Sequence, residues 1–295
     1  MTRRAISSAI ELAKPITWFP PIWAFGCGVI STGLPVQGNW PKIVAGVLLA
    51  GPLVCATSQV ANEWFDRHVD AINEPNRPIP SGRVTGRWPI NLAVVWSGLS
   101  IVVAIMLGPV VFWATIAALV LAWGYSAPPI RLKQNGWLGN TACALSSEGI
   151  AWFTGAAVMT AGTWPDARTI ALAGLYSFGA HGIMTLNDFK SMEGDRQTGI
   201  RSLPVQYGAN NAALLACVFM ALPQIVVVAL LVSWGRLNHA LIVTLLLLLQ
   251  VLLMGYFVAD PEKRATIFSA AGVSAYVAGM LASALALASL LKVSS

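Results

Sequence analysis

An acidic motif follows the second long apolar stretch of the sequence. Asn62, Asp66 and Asp70 occupy positions i, i+4 and i+8, after a run of residues from 43 to 62 that carries no charge. If this run is helical, the three side chains form one stripe, each about 40° further round the helix than the last. Neighbouring carboxylates repel one another and attract cations. A solvated helix end is the simpler alternative, but we interpret the stripe as a binding surface for a divalent metal ion.

A second acidic motif ends another apolar stretch further along the chain. It contains Asp188, Glu193 and Asp195. In both motifs the last aspartate is followed within seven residues by an arginine and then by a proline turn, at Arg77 and at Arg201. This repeated order predicts two half-sites that face each other across a shared cavity.

Basic residues occur in the same polar segments as the acidic ones. Acidic side chains alone would suit a metal cation, whereas acidic and basic side chains together suit an anion that carries its own metal. Mg²⁺ is commonly held by one or two carboxylates, several waters and substrate phosphates, and Arg and Lys bind the remaining phosphate oxygens. The sequence therefore predicts a diphosphate site. The predicted metal ligands are Asn62, Asp66, Asp70, Asp188, Glu193 and Asp195, and the predicted diphosphate-binding residues are Asn62, Arg77, Arg131, Lys133, Lys190 and Arg201.

The elements that carry these motifs are predicted to be membrane helices. The 295 residues are 56% hydrophobic and 10% charged, with a mean hydropathy of +0.68, whereas soluble domains are usually about 25% charged. Because a spanning helix needs about 20 apolar residues, we expect an all-α integral membrane protein. Its single domain, residues 1–295, would have nine transmembrane helices around a central cavity capped by cytoplasmic loops. The predicted spans are 15–35, 42–63, 89–108, 110–127, 138–161, 167–187, 210–233, 238–258 and 265–291.

The distribution of basic residues predicts the orientation of these helices. With the N-terminus inside, fourteen of the 18 Lys and Arg residues lie in cytoplasmic segments and four lie on the other side, which satisfies the positive-inside rule. Both acidic motifs are then cytoplasmic. The net charge of +6 is explained by this topology, so no nucleic-acid partner is predicted.

The four cysteines have no metal-ligand spacing, and we interpret them as small apolar residues of the helix packing.

Three segments resemble one known family. The acidic motifs and the nine-helix layout are similar to those of the UbiA-type membrane prenyltransferases. Within that superfamily, the segments Asp70–Arg83, Tyr125–Lys133 and Asn187–Arg196 closely resemble those of chlorophyll and bacteriochlorophyll synthases. The resemblance extends over the whole chain. The first fourteen residues are polar and basic, without the pattern of a cleavable signal or an import presequence, so we expect a bacterial cytoplasmic or intracytoplasmic photosynthetic membrane.

The resemblance also implies a reaction. A geranylgeranyl or phytyl group would move from its diphosphate to the propionate carboxylate of (bacterio)chlorophyllide a, with Mg²⁺ as cofactor. Asn62, Asp66 and Asp70 would serve the first metal ion, and Asp188 and Asp195 the second. Many relatives have an aspartate where this chain has Ser191, which leaves Asp188 and Glu193 as alternative ligands of the second metal. Asp66, Asp70, Asp188 and Asp195 are the predicted catalytic residues.

Three further residues are candidates for substrate contact, each with a structural alternative. Tyr125 would stabilise an allylic cation through its ring or anchor the membrane interface. Glu148 lies within a predicted span, where charge is costly, and would contact substrate or pair with a nearby serine. His181 would ligate the magnesium of the chlorin or bond to a neighbouring helix.

Two other functions remain as alternatives. A quinone or haem prenyltransferase of the same fold would share the acidic motifs. A cation-coupled transporter would use the acids as an ion site, although its acids would be expected near the membrane midplane. The sequence leaves open the choice between chlorin acceptors, the reduction state of the donor, and contacts with other pigment-synthesis or assembly proteins.

Overall fold

The computed structural model describes residues 3–294, with side chains described for residues 7–71 and 74–292. Over this range the chain is helical, apart from connecting segments and one isolated backbone bridge between Asn135 and Arg201. The α-helices are α1 Arg3–Ala13, α2 Phe19–Ser31, α3 Trp40–Leu48, α4 Ala56–Asn73, α5 Trp88–Leu107, α6 Pro109–Ser126, α7 Gly136–Ala144, α8 Ala151–Met159, α9 Ala167–Asp188, α10 Met192–Thr198, α11 Leu203–Tyr207, α12 Ala209–Ser233, α13 Leu237–Val258 and α14 Pro261–Ser294.

Two helical stretches contain a π-helical segment. Leu49–Cys55 joins α3 to α4, and Leu145–Ile150 joins α7 to α8. Pro52 lies inside the first of these segments, and it cannot donate the backbone hydrogen bond of a regular helix. Wider π-helical turns are rare and are often found at functional sites. Both segments contribute residues to the apolar cavity described below.

Seven helical stretches within the described residues are long and apolar enough to cross a membrane. They include a continuous stretch, Trp40–Ala71, and agree with seven of the nine predicted spans. The predicted spans 15–35 and 138–161 are largely helical, but they are not both long and apolar enough to be counted among these seven. The first is divided into a 3₁₀ turn, Pro15–Trp18, and the 13-residue α2, because three prolines fall in its first turns. The second contains polar side chains, among them Glu148, that lower its hydropathy.

The helices pack through a core that runs from α2 and α8 to α9, α12 and α14. Gly28 of α2 and Gly155 of α8 lie so close to the opposite backbone that a Cβ atom on either would clash with a carbonyl oxygen. Small residues allow this close approach, as is usual between membrane helices. On the outer surfaces of α5, α12 and α13, many large apolar side chains are exposed, as expected for surfaces that face lipid.

A smaller cluster fastens the N-terminal helix to the first acidic motif. Leu12 of α1 packs with Val60 of α4, Val84 of the following loop and Ala93 of α5. The three elements that surround the polar part of α4 are therefore held together by apolar contacts. This arrangement brings α1 and the loop between α4 and α5 beside the acidic stripe.

Candidate active site

Both acidic motifs line one cavity of about 700 Å³. Asn62, Asp66 and Asp70 reach it from α4, Asp188 from the end of α9, and Asp195 from α10. The cavity also receives further residues that the sequence singled out: Arg77, Tyr125, Lys133, Lys190 and Glu193. The two motifs, although far apart in sequence, therefore surround a common space.

The first motif lies on one helix, as its spacing predicts. The side-chain amide of Asn62 donates to Asp66 Oδ2 at 2.8 Å and to Ser126 Oγ at 3.0 Å. Asp66 also forms ion pairs with Lys133 and with Arg131, whose Nη2 is 3.3 Å from Asp66 Oδ1. Burial lowers the pKa of the Lys133 ammonium, and the adjacent Asp66 carboxylate opposes this shift.

The second motif is divided between two helices. Asp188 is the last residue of α9, and the chain turns before α10 begins at Met192. Asn140 Nδ2 of α7 donates to Asp188 Oδ2 at 2.9 Å. Ser191 Oγ donates to Asp195 Oδ2 at 2.9 Å, so the residue that departs from the family pattern supports the last aspartate of the motif. Burial raises the pKa of the Asp195 carboxyl, and the hydroxyls of Ser202 and Ser191 oppose this shift.

Glu193 is placed differently from the two aspartates. Its side chain is 74% exposed and lies 3.7 Å from Arg196 on the same helix. It also accepts a hydrogen bond from Gln197 at 2.9 Å. The structure thus leaves Glu193 at the solvent edge of the cavity, whereas Asp195 is buried and Asp188 is half-buried.

Four of the predicted residues do not line either cavity. One of them, Arg131, still contacts the first motif through Asp66. Arg201 is exposed, and its backbone pairs with the segment that contains Asn135. Glu148 is buried in the second π-helical segment. His181 is buried and stacks on Trp137, with ring centroids 5.4 Å apart. The structure therefore does not bring Arg201, Glu148 and His181 together with the acidic motifs.

An apolar cavity of about 210 Å³ adjoins the polar one. Asn62 and Tyr125 line both cavities. Most other lining residues are apolar or small, and they come from α2, α4, α6, α7, α8 and both π-helical segments. The site thus combines a charged compartment with an adjoining apolar compartment between the helices.

Sequence reasoning missed a buried carboxylate beside the first motif. Glu63 is fully buried and lies 2.6 Å from Lys14 Nζ and 3.3 Å from Arg77 Nη1. Arg77 Nη1 also contacts Asp70 Oδ2 at 2.9 Å. The sequence held one indication of this role: Glu63 is an acidic residue next to Asn62, but it lies about 100° from Asn62 around the helix and therefore off the acidic stripe.

Asn140 was missed as well, although an amide within a predicted span is a polar group that needs a partner.

The side chains around the polar cavity are chemically suited to Mg²⁺. Carboxylate oxygens from both motifs and the amide oxygen of Asn62 are hard donors of the kind that this ion prefers. Within the described part of the chain, no three Asp, Glu, His or Cys side chains already converge as a metal cage. Mg²⁺ does not need such a cage when substrate phosphates and waters complete its coordination. The residues therefore fit a magnesium ion that is bound together with a diphosphate.

Comparison with known proteins agrees with this arrangement. Residues 19–278 match the model of the UbiA prenyltransferase family. The chain is 53% identical over 278 residues to the bacteriochlorophyll synthase 33 kDa chain of Cereibacter sphaeroides, covering 94% of this chain and 92% of the relative. It is 38% identical over 292 residues to the chloroplastic chlorophyll synthase of Avena sativa, covering 94% and 75% of the two chains.

A solved structure of low sequence identity has the same fold. The UbiA homologue from Archaeoglobus fulgidus bound to DMAPP and Mg²⁺ superimposes with a TM-score of 0.74 at 20% identity, covering 93% of this chain and 99% of that chain. The match to the family model extends over most of the chain, from α2 into α14. The chain therefore belongs to the UbiA prenyltransferase family.

Proposed function

We propose that this prenyltransferase moves a geranylgeranyl or phytyl group from its diphosphate to the propionate carboxylate of (bacterio)chlorophyllide a. The observation that carries the proposal is the pair of adjoining cavities, one lined by carboxylates and cations and the other mostly by apolar side chains. This pair matches the two parts of a prenyl diphosphate. The acceptor is inferred from the relatives named bacteriochlorophyll synthase, which are 47–53% identical to this chain.

The residues of the polar cavity would bind the donor through its diphosphate. In this proposal Asn62, Asp66 and Asp70 hold one magnesium ion, and Asp188 and Asp195 hold a second. Magnesium, when bound, would neutralise the negative charge that develops on the departing diphosphate. Lys133, Arg131 and Lys190 would bind phosphate oxygens that the metal leaves free. Arg77 lines the same space and also pairs with Asp70.

The bond changes in the proposed reaction are simple. The allylic C–O bond of the donor breaks, and its electron pair leaves with the diphosphate. A carboxylate oxygen of the acceptor then forms the new C–O bond to the allylic carbon. The acceptor carboxyl is already ionised at neutral pH, so no general base is required. Tyr125 lies where the two cavities meet, and its ring face would stabilise the allylic cation.

The apolar cavity would exclude water from the reacting carbon. Residues of both π-helical segments line this cavity, and its small side chains leave room for the hydrocarbon. Exclusion of water prevents hydrolysis of the reactive cation. The space between the helices therefore serves both to bind the prenyl tail and to protect the reaction.

The finer topology also belongs to this proposal. We infer that the stretches 15–35 and 138–161 cross the membrane as well, which would give nine spans in one domain. The N-terminus and both acidic motifs would then face the cytoplasm of a bacterial cell, in its cytoplasmic or photosynthetic membrane. The excess of basic residues in these segments supports this orientation.

The test is an assay of membranes that contain this protein. Membranes are incubated with Mg²⁺, geranylgeranyl diphosphate and either bacteriochlorophyllide a, chlorophyllide a or 4-hydroxybenzoate, and the products are separated by chromatography. We expect an esterified chlorin and release of diphosphate. Prenylation of the benzoate alone would overturn the proposed acceptor and favour a quinone-type prenyltransferase.

The metal assignment is tested with a matched pair of variants. Asp66→Asn removes one carboxylate charge from the cavity, and we expect a loss of turnover of about a hundredfold or more, the scale found when a key electrostatic group is removed from an active site. Asp260→Asn makes the same change at a residue whose side chain is 36% exposed and pairs with Lys263. The Asp260 variant should keep wild-type turnover. Equal activity of the two variants would contradict the assignment.

A further inference from the structure

Glu63 is a buried carboxylate that the proposed chemistry does not use. It precedes Asp70 by seven residues, so the two lie on the same side of α4 about 10 Å apart along the helix axis. Glu63 is fully buried, and its Oε1 lies 2.6 Å from Lys14 Nζ and 3.3 Å from Arg77 Nη1. An unpaired buried charge strongly destabilises the folded state. Glu63 and these two cations therefore depend on one another.

Arg77 connects this buried carboxylate with the acidic stripe. Its Nη1 lies between Glu63 and Asp70, at 3.3 and 2.9 Å. Burial alone would lower the pKa of the Arg77 guanidinium, but the Glu63 and Asp70 carboxylates more than offset this and raise it. Arg77 is therefore a permanent cation on one wall of the cavity.

Lys14 reaches Glu63 from an unusual backbone conformation. Its φ is 45°, in the left-handed region that few residues other than glycine adopt. The chain bends there between α1 and the 3₁₀ turn Pro15–Trp18, and the Lys14 carbonyl accepts hydrogen bonds from the Thr17 amide and hydroxyl. Such conformations are energetically unfavourable and are concentrated at functional sites. The bend places the ammonium group of Lys14 beside Glu63.

Both cations remain accessible from the polar cavity. Lys14 and Arg77 line it, and their side chains are 27% and 31% exposed. An ammonium group has three N–H donors, and the described ion pair of Lys14 reaches a single oxygen, Glu63 Oε1, at 2.6 Å. Lys14 and Arg77 therefore have donors left for an incoming anion.

A second pair of cations in the site has different partners. Arg131 and Lys133 come from the segment between α6 and α7 and pair with Asp66. Lys14 and Arg77 come from the α1–α2 bend and the α4–α5 loop. The site thus has two cation pairs on different elements, and each is held by its own carboxylates.

The proposed reaction brings two anions into this space, the donor diphosphate and the acceptor carboxylate. The acidic stripe repels a free carboxylate, so the acceptor needs cations that do not bind the diphosphate. We propose that Lys14 and Arg77 bind the propionate carboxylate of the chlorin acceptor and that Glu63 positions them. This inference rests on the proposed function and adds a binding site for its second substrate.

The inference is tested by binding in the absence of donor. Detergent-purified protein is titrated with bacteriochlorophyllide a and with its propionate methyl ester, and binding is followed by the change in pigment fluorescence. The wild-type protein should bind the free acid about ten to a hundred times more tightly than the ester, the equivalent of one charge-assisted hydrogen bond. In Lys14→Met this preference should disappear, while affinity for the ester stays within about twofold, since the ester makes no charged contact.

Three control variants separate binding from folding. Lys14→Arg keeps the charge and should keep most of the preference. Lys263→Met removes a lysine that is 83% exposed and should leave both affinities unchanged. The double variant with Glu63→Gln and Lys14→Met removes the buried charge together with its partner, so it should fold as the wild type does and still lack the preference.

Kinetics distinguish the acceptor from the donor. Lys14→Met should raise the KM for bacteriochlorophyllide at least tenfold and change the KM for geranylgeranyl diphosphate by less than about twofold. Lys133→Met should instead raise the KM for the donor and leave that for the acceptor nearly unchanged. The two variants differ because each cation contacts only one substrate. An undiminished preference for the free acid in Lys14→Met, or a rise in the donor KM alone, would overturn the inference. If the wild-type protein forms no chlorin ester at all, the proposed function fails instead.

Discussion

The side-chain amide of Asn62 donates a hydrogen bond to Asp66 Oδ2 at 2.8 Å, one helical turn away on α4. Its other contact is to Ser126 Oγ on α6, at 3.0 Å. Because both contacts use the amide nitrogen, the amide oxygen is the part of Asn62 that remains for a ligand in the cavity. Asn62 thus orients one carboxylate of the motif and offers an oxygen of its own.

This relationship predicts the effect of Asn62→Asp. The substitution keeps the size of the side chain but replaces the N–H donor with a carboxylate facing Asp66, and like charges one turn apart repel. We expect kcat/KM to fall at least about tenfold, the cost of losing one hydrogen bond to a charged group. Higher Mg²⁺ should restore part of the activity by offsetting the repulsion. Steady-state rates over a series of Mg²⁺ concentrations would measure both effects, and unchanged rates would contradict the assigned role.

The two acidic residues of α10 should differ in importance. Glu193 is exposed and pairs with Arg196, so Glu193→Gln should keep activity within about twofold, as expected for an exposed pair. Asp195 is buried and faces the cavity, so Asp195→Asn should lower turnover about tenfold or more by removing a charge from the site. Initial rates of the two variants provide the comparison. A more severe effect at Glu193 would make that residue the second metal ligand.

Tyr125 offers a test of the cation-stabilising ring. It lines both cavities, and its contribution in the proposed mechanism comes from the ring face. Tyr125→Phe should therefore keep kcat within about twofold, whereas Tyr125→Leu should lower kcat about tenfold, the equivalent of one cation–π contact at a shielded site. Single-turnover rates with saturating donor isolate this step. Equal losses in both variants would indicate that the hydroxyl is the required group.

The attachment of α1 should depend on pH. Arg83 forms a two-pronged ion pair with Glu11, with contacts of 2.6 and 2.8 Å. Hydrogen bonding from Arg83 lowers the pKa of the Glu11 carboxyl, although partial burial opposes the shift. A lowered folded-state pKa stabilises the folded state above the unfolded glutamate value of about 4.3, and this contribution is lost as pH falls through the folded-state pKa.

Amide hydrogen exchange in α1 measures this attachment. In the wild-type protein the exchange rates, corrected for the intrinsic effect of pH, should rise below about pH 4, near the glutamate value. In Arg83→Gln they should already be raised at pH 7 and change less on acidification. Arg196→Gln, which affects an exposed pair on another helix, is the control. Identical profiles for the wild type and Arg83→Gln would show that the ion pair does not hold α1.

Several features of the site followed from local sequence alone. The i, i+4, i+8 spacing of the first motif is a property of one continuous helix, and α4 retains it from Asn62 to Asp70. The break at Gly108 and Pro109 was also predictable, because proline starts a helix and Gly108 has a φ of 123° that favours glycine. Apolar length and charge distribution were enough to indicate a multi-pass helical membrane protein and to locate the acidic motifs at helix ends.

The pairing of charges depended on tertiary packing. Lys14 and Glu63 are 49 residues apart in the sequence, and Lys133 and Asp66 are 67 residues apart. Which cation pairs with which carboxylate therefore depends on how α1, α4 and the segment before α7 pack together. The sequence also offered Glu193 as a metal ligand on equal terms with Asp188. Only the folded chain, with its turn between α9 and α10, distinguishes the half-buried Asp188 from the exposed Glu193.

The sequence by itself determined the family, the helical character of the chain and the chemical types of the residues around the site. These depend on composition, on helical period and on motifs that are continuous along the chain. The tertiary structure decided that both motifs share one cavity, that Glu63 is buried between Lys14 and Arg77, and that Arg201, Glu148 and His181 lie apart from them. Burial and charge pairing depend on contacts between distant segments, which a one-dimensional pattern does not contain.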